Sequence, residues 1–439
     1  VYGKRRFSRL FRKYLHRRIN LEQVYTIAQQ ITNMYRNDGY ILSKAVVPPQ
    51  KIEAGVVRIN VIEGFVDRVA IQGQVRGPRK LLSEYRRGIL RSRPLKAKDL
   101  ERYLLLVDDL PGVSVKSVLT PSKDKPGATN MTLILSNKAY EGSVGLDNRG
   151  TEFNGPIQIN AGLSGNAVFK NYERIGLQTV VTSNTDELQF FSGFYEQPIS
   201  SEGSKLFFSA SVSDSKPGDV LEEFEVVGES KTFALKITHP FIRSRAENLT
   251  GTLGFTHRNS TTDILGTLDS EDRLRIVNLG LSYDFVDEYR GVNLMSFNLS
   301  KGFDILNSTE TGSENLTRET GHSDFTKLSG QVLRLQQLAP SWMLLGAFSW
   351  QYSFEKLLSS EEFGVGGAQF GRAYDSSEIT GDQGVAFKLE LQKAFQPKQK
   401  YLRDVQAYTF FDYGAVWNRI PTSTGSTVQG LNSLGVGAR

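Results

Sequence analysis

From about residue 140 onward the helical period of apolar residues is lost. Segments of roughly 10–14 residues instead alternate between two kinds of side chain, a pattern of period two that fits strands. Within 341–354, Trp342, Leu344, Phe348, Trp350, Tyr352 and Phe354 share one face, while Met343, Ala347, Ser349 and Gln351 share the other. Within 384–392, Val385, Phe387, Leu389 and Leu391 oppose Ala386, Lys388, Glu390 and Gln392. Within 231–238, Phe233, Leu235 and Ile237 oppose Thr232, Ala234, Lys236 and Thr238. Such strands suit a wall with lipid on one side and water on the other. A mean hydropathy of −0.31 is compatible with that wall, because the two faces average out. A soluble β-sandwich is the competing architecture, but it rarely runs strands this long with one fully aromatic face.

About fourteen strands are predicted, starting near 140, 156, 173, 187, 204, 230, 247, 272, 290, 325, 341, 384, 404 and 430. Their connections alternate in length. One set is short: Asn166–Asn171, Pro198–Gly203, Val286–Gly291 and Leu338–Ser341. The other is longer and polar: Asp214–Gly228, Asn307–Ser323, Leu357–Gly381 and Pro421–Gly430. Transmembrane barrels have short turns on one side and long loops on the other, and even strand numbers. The chain stops inside a strand-like stretch at 434–439, so the expectation is a 16-stranded barrel of which about 14 strands are present.

The first third reads differently. Leu21, Val24, Ile27, Ala28, Ile31 and Tyr35 keep helical spacing over 21–38, with Asn20 and Gln23 placed as a capping box and Gly39 as a stop. Extended pieces follow at 41–47 and 57–62. A second unit reads β-α-α-β-β: a strand at 66–71, helices at 79–90 and 97–109, and strands at 113–119 and 131–135. The predicted domains are 1–62, 63–138 and 139–439, the last with an inserted loop at about 355–384. Two small tandem units with exposed sheet edges suit an extended client that adds a strand.

The chain has no cysteine, which excludes disulfide frameworks, thiol catalysis and cysteine-ligated zinc. His16, His239, His257 and His322 are too scattered for a metal cluster. Eight Lys and Arg residues fall within 4–18, interleaved with Leu10, Phe11, Tyr14 and Leu15. A nucleic-acid or anionic-lipid patch is one reading. The solvated face of a small-domain helix is preferred, since no nucleic-acid motif follows. No initiating Met or signal peptide is present, and the chain is taken as a mature or trimmed form.

The longest loop carries the most specific signal. Phe363-Gly364-Val365-Gly366-Gly367 and the glycines after it lack the strand-to-helix setting and Lys-Ser/Thr of a nucleotide loop, and suit a tight hairpin. Gly371-Arg372-Ala373-Tyr374 at its tip and Phe410-Phe411-Asp412-Tyr413-Gly414 on a later strand resemble paired motifs of the TpsB transporters of two-partner secretion. These belong to the POTRA-plus-barrel superfamily of outer-membrane translocases and insertases. Pro48-Pro49-Gln50-Lys51-Ile52, Val61-Ile62-Glu63-Gly64 and Leu110-Pro111-Gly112-Val113 resemble its POTRA domains, and Asp147-Asn148-Arg149-Gly150 its first barrel hairpin. Two positions depart from the pattern: Gly371 stands where the family has Val, and Ala373 where it has Gly.

The resemblance implies a loop folded back into the barrel, with Arg372 pairing with Asp412 beside Phe410 and Gly414. It also implies a plug helix before the first POTRA domain, and the chain is expected to begin after it. The expected function is a monomeric outer-membrane pore contacting lipid. It would recognise an unfolded exoprotein through periplasmic POTRA domains and secrete it, without cofactor, metal or nucleic acid. The alternative is an insertase for other barrels, against which two POTRA domains rather than a longer array argue. An enzyme is disfavoured, because no Gly-x-Ser-x-Gly elbow occurs.

Overall fold

A computed structural model describes residues 1–397, 404–419 and 428–439, so most of the connection expected at 421–430 lies outside the described residues. The chain divides into two compact units. One comprises Val1–Ala139 with Asn166–Tyr172 and Arg243–Arg245, and the other holds the rest.

In the first unit, α1 (Lys4–Phe11) precedes α2 (Leu21–Asn37). Phe7, Leu10, Phe11 and Tyr14 pack toward Ile27, Ile31 and Tyr35, while Arg5, Arg6, Arg9, Arg12, Lys13, Arg17 and Arg18 face solvent. The capping box is formed: the Gln23 N–H donates to Asn20 Oδ1 at 2.9 Å and the Asn20 N–H to Gln23 Oε1 at 3.0 Å. Val24, Ile27, Ala28, Ile31 and Tyr35 are buried, whereas Leu21 in the first turn is exposed. Strand β1 (Lys44–Val46) pairs antiparallel with β2 (Asn60–Ile62). Both are shorter than the periodicity suggests, because Pro48-Pro49 and the turn at Glu53–Val56 leave no room for a longer ladder.

The following elements are β3 (Phe65–Gln72), α3 (Arg79–Arg91), α4 (Ala97–Asp108), β4 (Val113–Pro121) and β5 (Ala128–Asn137). The sheet order is β3-β5-β4, with β3 parallel and β4 antiparallel to β5. Val66, Leu82, Tyr85, Ile89, Leu100, Val107, Met131 and Leu133 form its core. Each large apolar side chain buried this way contributes about 1.5–3 kcal/mol.

The second unit is one sheet of 14 strands. Its first half runs β6 (Tyr140–Asp147), β7 (Gln158–Asn166), β8 (Arg174–Thr182), β9 (Leu188–Pro198), β10 (Lys205–Ser215), β11 (Val227–Arg243) and β12 (Glu247–Ile264). Then come β13 (Thr267–Val286), β14 (Val292–Gly302), β15 (Thr326–Ala339) and β16 (Trp342–Ser353). A small hairpin, β17 (Phe363–Val365) with β18 (Ile379–Gly381), interrupts the meander. The sheet resumes with β19 (Gln383–Phe395), β20 (Val405–Trp417) and β21 (Val428–Ala438). Every strand pairs with its sequence neighbour, β16 joining β19 across the hairpin. Among the described residues β6 and β21 are not paired to each other, so the sheet is a barrel wall with two edges.

The two faces separate as the alternation requires. Phe233, Leu235, Ile237, Phe348, Tyr352, Phe387, Leu389, Phe411 and Tyr413 point to the open outer side, while Gln351, Glu390, Gln392 and Asp412 are buried on the inner side. Strand length varies more than the sequence suggests. β12 has 18 residues and β13 has 20, against 11 in β14. About 9–11 tilted residues cross a bilayer, so β12 and β13 extend well beyond it. They join through a hairpin at Leu265 and Gly266, both at positive φ (51° and 72°).

Candidate functional site: an inserted loop on the inner wall

The loop between β16 and β19 folds onto the inner face of the wall. Val365 and Phe370 pack with Ala347, Ala386, Val416 and Leu431 of the strands. Glycines allow the approach. At Gly414 a Cβ would lie 2.3 Å from Val365 Cγ1, and at Gly384 it would lie 2.2 Å from Phe363 Cδ1. The tip is tied within itself, since the Gly367 N–H donates to Tyr374 O at 3.0 Å and the Tyr374 N–H to Gly371 O at 3.0 Å. Gly371 has φ +96° and a Cβ there would meet Leu431 Cδ1 at 2.8 Å. The departure from Val at this position therefore permits a backbone that side chains rarely adopt.

Asp412 is fully buried on β20, in register with Lys388 of β19 and Ser433 of β21. Arg372 reaches it as a fork: Nε donates to Oδ2 at 3.0 Å and Nη2 to Oδ1 at 2.9 Å. The backbone N–H groups of Gly371 (3.2 Å) and Arg372 (3.1 Å) and the Ser433 hydroxyl (3.3 Å) also donate to Oδ2. The Phe410 ring lies beneath the guanidinium, 3.6 Å from its carbon to the ring centroid. This is bidentate, charge-assisted pairing with a cation–π contact in addition.

Arg372 has a second carboxylate. Its Nη1 donates to Glu390, which is 2% exposed. Glu390 also accepts from Gln392 at 2.8 Å and from Arg439 Nη2 at 3.0 Å. Lys388 Nζ donates to Ala368 O at 3.1 Å, adding a further tie between wall and loop. Two carboxylates and three cations thus meet on one patch of wall. A cavity of about 690 Å³ beside it is lined by Arg149, Arg372, Tyr374, Lys388, Glu390 and Tyr408.

Of the residues singled out in the sequence, Gly371, Arg372, Phe410, Asp412 and Gly414 meet here. Ala373 and Tyr374 are exposed at the tip, Tyr374 joining the turn through its backbone. Glu390, Arg439 and Ser433 were not singled out. The alternation puts Glu390 on the wet face, but its place opposite Phe410 depends on the β19–β20 register.

Comparison with known proteins gives the family and the fold. A POTRA domain of the ShlB type matches residues 1–64. The Heme/hemopexin transporter protein HuxB of Haemophilus influenzae (strain 86-028NP) is 24% identical over 413 residues, covering 93% of this chain and 72% of the relative. The outer membrane transporter CdiB of Dickeya dadantii (strain 3937) is 24% identical over 400 residues, covering 89% of this chain and 70% of the relative. Among solved structures, CdiB from Escherichia coli superposes with a TM-score of 0.79 at 20% identity, covering 100% of this chain and 81% of that one. BamA from Haemophilus ducreyi, at 14% identity, covers 100% of this chain and 91% of its own with a TM-score of 0.56, a likeness of fold. The family of the haemolysin secretion/activation proteins ShlB/FhaC/HecB matches residues 134–439, and the chain belongs to this family of two-partner secretion (TpsB) transporters.

Proposed function

We propose that the chain takes up an unfolded exoprotein at its POTRA domains and threads it through the barrel past a loop docked on the inner wall by Arg372. As a family member it is an outer-membrane transporter with POTRA domains in the periplasm, and it secretes a partner exoprotein. The finer reading assigns 1–62 and 63–138 to two POTRA domains and 139–439 to a monomeric pore, with the inserted loop at 355–384. Main-chain pairing at a sheet edge suits an unfolded client, because it asks little of the client's sequence. The periplasm holds no ATP, so folding outside the cell would supply direction.

The observation that carries the reading is the fork of Arg372 on buried Asp412, which ties a glycine-rich hairpin to the wall of the route. Gly371, Arg372, Ala373 and Tyr374 would form the anchoring tip, and Phe410, Asp412 and Gly414 its seat. Secretion of the partner exoprotein tests both parts. Deleting 63–138 is expected to abolish export while the barrel still inserts. Arg372→Ala is expected to impair export more than insertion. Normal export by either variant would refute the role assigned to that part.

A further inference from the structure

The roots of the inserted loop carry a second charged cluster, on the side opposite the chain's entry into β6. Asp382, between β18 and β19, is fully buried. Its Oδ1 accepts from the Leu357 N–H at 2.8 Å and from Arg318 Nη1 at 2.5 Å, and its Oδ2 from the Arg419 N–H at 2.9 Å. Arg318 comes from a different segment, the 303–325 connection. It also donates to Leu357 O at 2.7 Å and Asn418 Oδ1 at 3.1 Å, and pairs with Glu362 at 2.8 Å. One guanidinium therefore touches the outgoing root, the descending arm, the returning root and the end of β20.

Its support is firm. The Phe303 N–H donates to Arg275 O at 2.9 Å and the Thr309 N–H to Arg273 O at 3.0 Å. Thr317 Oγ1 donates to Asp272 Oδ2 at 2.6 Å. Leu316 and Phe325 pack with Leu274, Ile276, Leu357 and Leu358. The long β13 thus braces the 303–325 segment from which Arg318 projects. Asp382 lies six residues along the chain from Lys388, the partner of Asp412, so the two clusters are separated by ~20 Å of wall at ~3.4 Å per residue.

We propose that Arg318 is an outer clasp: a positioning residue for export that fixes both roots of the inserted loop at the external mouth, independently of the Arg372 anchor. A hairpin with both roots pinned cannot swing its tip out of the lumen, so release of Asp382 and Glu362 precedes opening. The proposal rests on the reading that this loop occupies the export route.

The test uses the full-length protein in liposomes, reading backbone hydrogen exchange and channel opening in KCl. Arg318→Ala is expected to speed exchange at 355–363 and 379–383 by roughly tenfold, leaving 366–374 protected. Channel openings rise severalfold, and Arg318→Lys restores part of both effects. Arg372→Ala is expected to do the reverse, exposing 366–374 and sparing the roots. Unchanged root exchange in Arg318→Ala overturns the clasp. Faster root exchange in Arg318→Ala without more frequent openings overturns the positioning role, and no rise in openings when Arg318→Ala and Arg372→Ala are combined overturns the occupied route itself. Asp382→Asn, close to isosteric, repeats the measurement should Arg318→Ala not fold. Loss of heat-modifiable migration in both would make Arg318 a folding staple and overturn the proposal.

Discussion

Arg372 lies between two carboxylates, so its removal and that of Asp412 are not equivalent. Without Arg372, Asp412 keeps two N–H donors and a hydroxyl but loses its counter-charge in a buried place. Breaking a buried pair in this way costs about 3–5 kcal/mol. Arg372→Lys is expected to recover little, because an ammonium cannot make the fork to Asp412 while reaching Glu390. Protease resistance of 366–374 measures both variants. Gly414→Ala is expected to shift the hairpin at a cost of about 1–3 kcal/mol, since the new methyl group runs into Val365. A pH effect is expected in the turn after β13. The Arg334 guanidinium, with the Gly291 N–H and Asn293, holds the Asp287 carboxyl down at about 2. A depressed carboxylate orders its turn fully above its unfolded value of about 3.9 and loses that contribution as pH falls through its folded one. The order of 287–291 is therefore expected to persist at pH 5 and fail near pH 2, with Arg334→Gln moving the midpoint upward. Carboxyl NMR titration reads it.

Among the elements, α2 and the sheet show different limits on sequence reading. The Asn20 cap is legible because a capping box is local, and Asn20→Ala is expected to cost about 1 kcal/mol, seen as faster exchange in the first turn of α2. Fourteen strands are legible because each carries its own alternation. Their lengths are not, since β11 and β13 begin at 227 and 267 rather than near 230 and 272. The cause is that water-exposed extensions beyond the bilayer lose the aromatic outer face that marks a strand. The Leu265-Gly266 hairpin follows from this: a two-residue turn falls where loop asymmetry predicts a long loop, because the strands themselves supply the reach.

At the scale of the whole molecule, the architecture follows from periodicity, and Arg372 and Asp412 stand out through their resemblance to the paired family motifs. Glu390, Arg439 and Arg318 cannot, because their partners come from segments tens of residues away and are set by sheet register and loop packing. The inserted loop buries four large apolar side chains, Leu357, Leu358, Val365 and Phe370, with Phe363 and Ile379 partly covered. At about 1.5–3 kcal/mol for each buried side chain, and with ion pairs whose attraction is largely offset by desolvation, the docked state is shallow. The four buried side chains contribute on the order of 6–12 kcal/mol, from which the entropy of ordering the loop is subtracted. On the proposed reading the pore has a yield point. A passenger that gains more than this on folding outside can haul the loop aside, whereas one that folds weakly stalls against it, so the wall grades its cargo by mechanical output as well as by recognition.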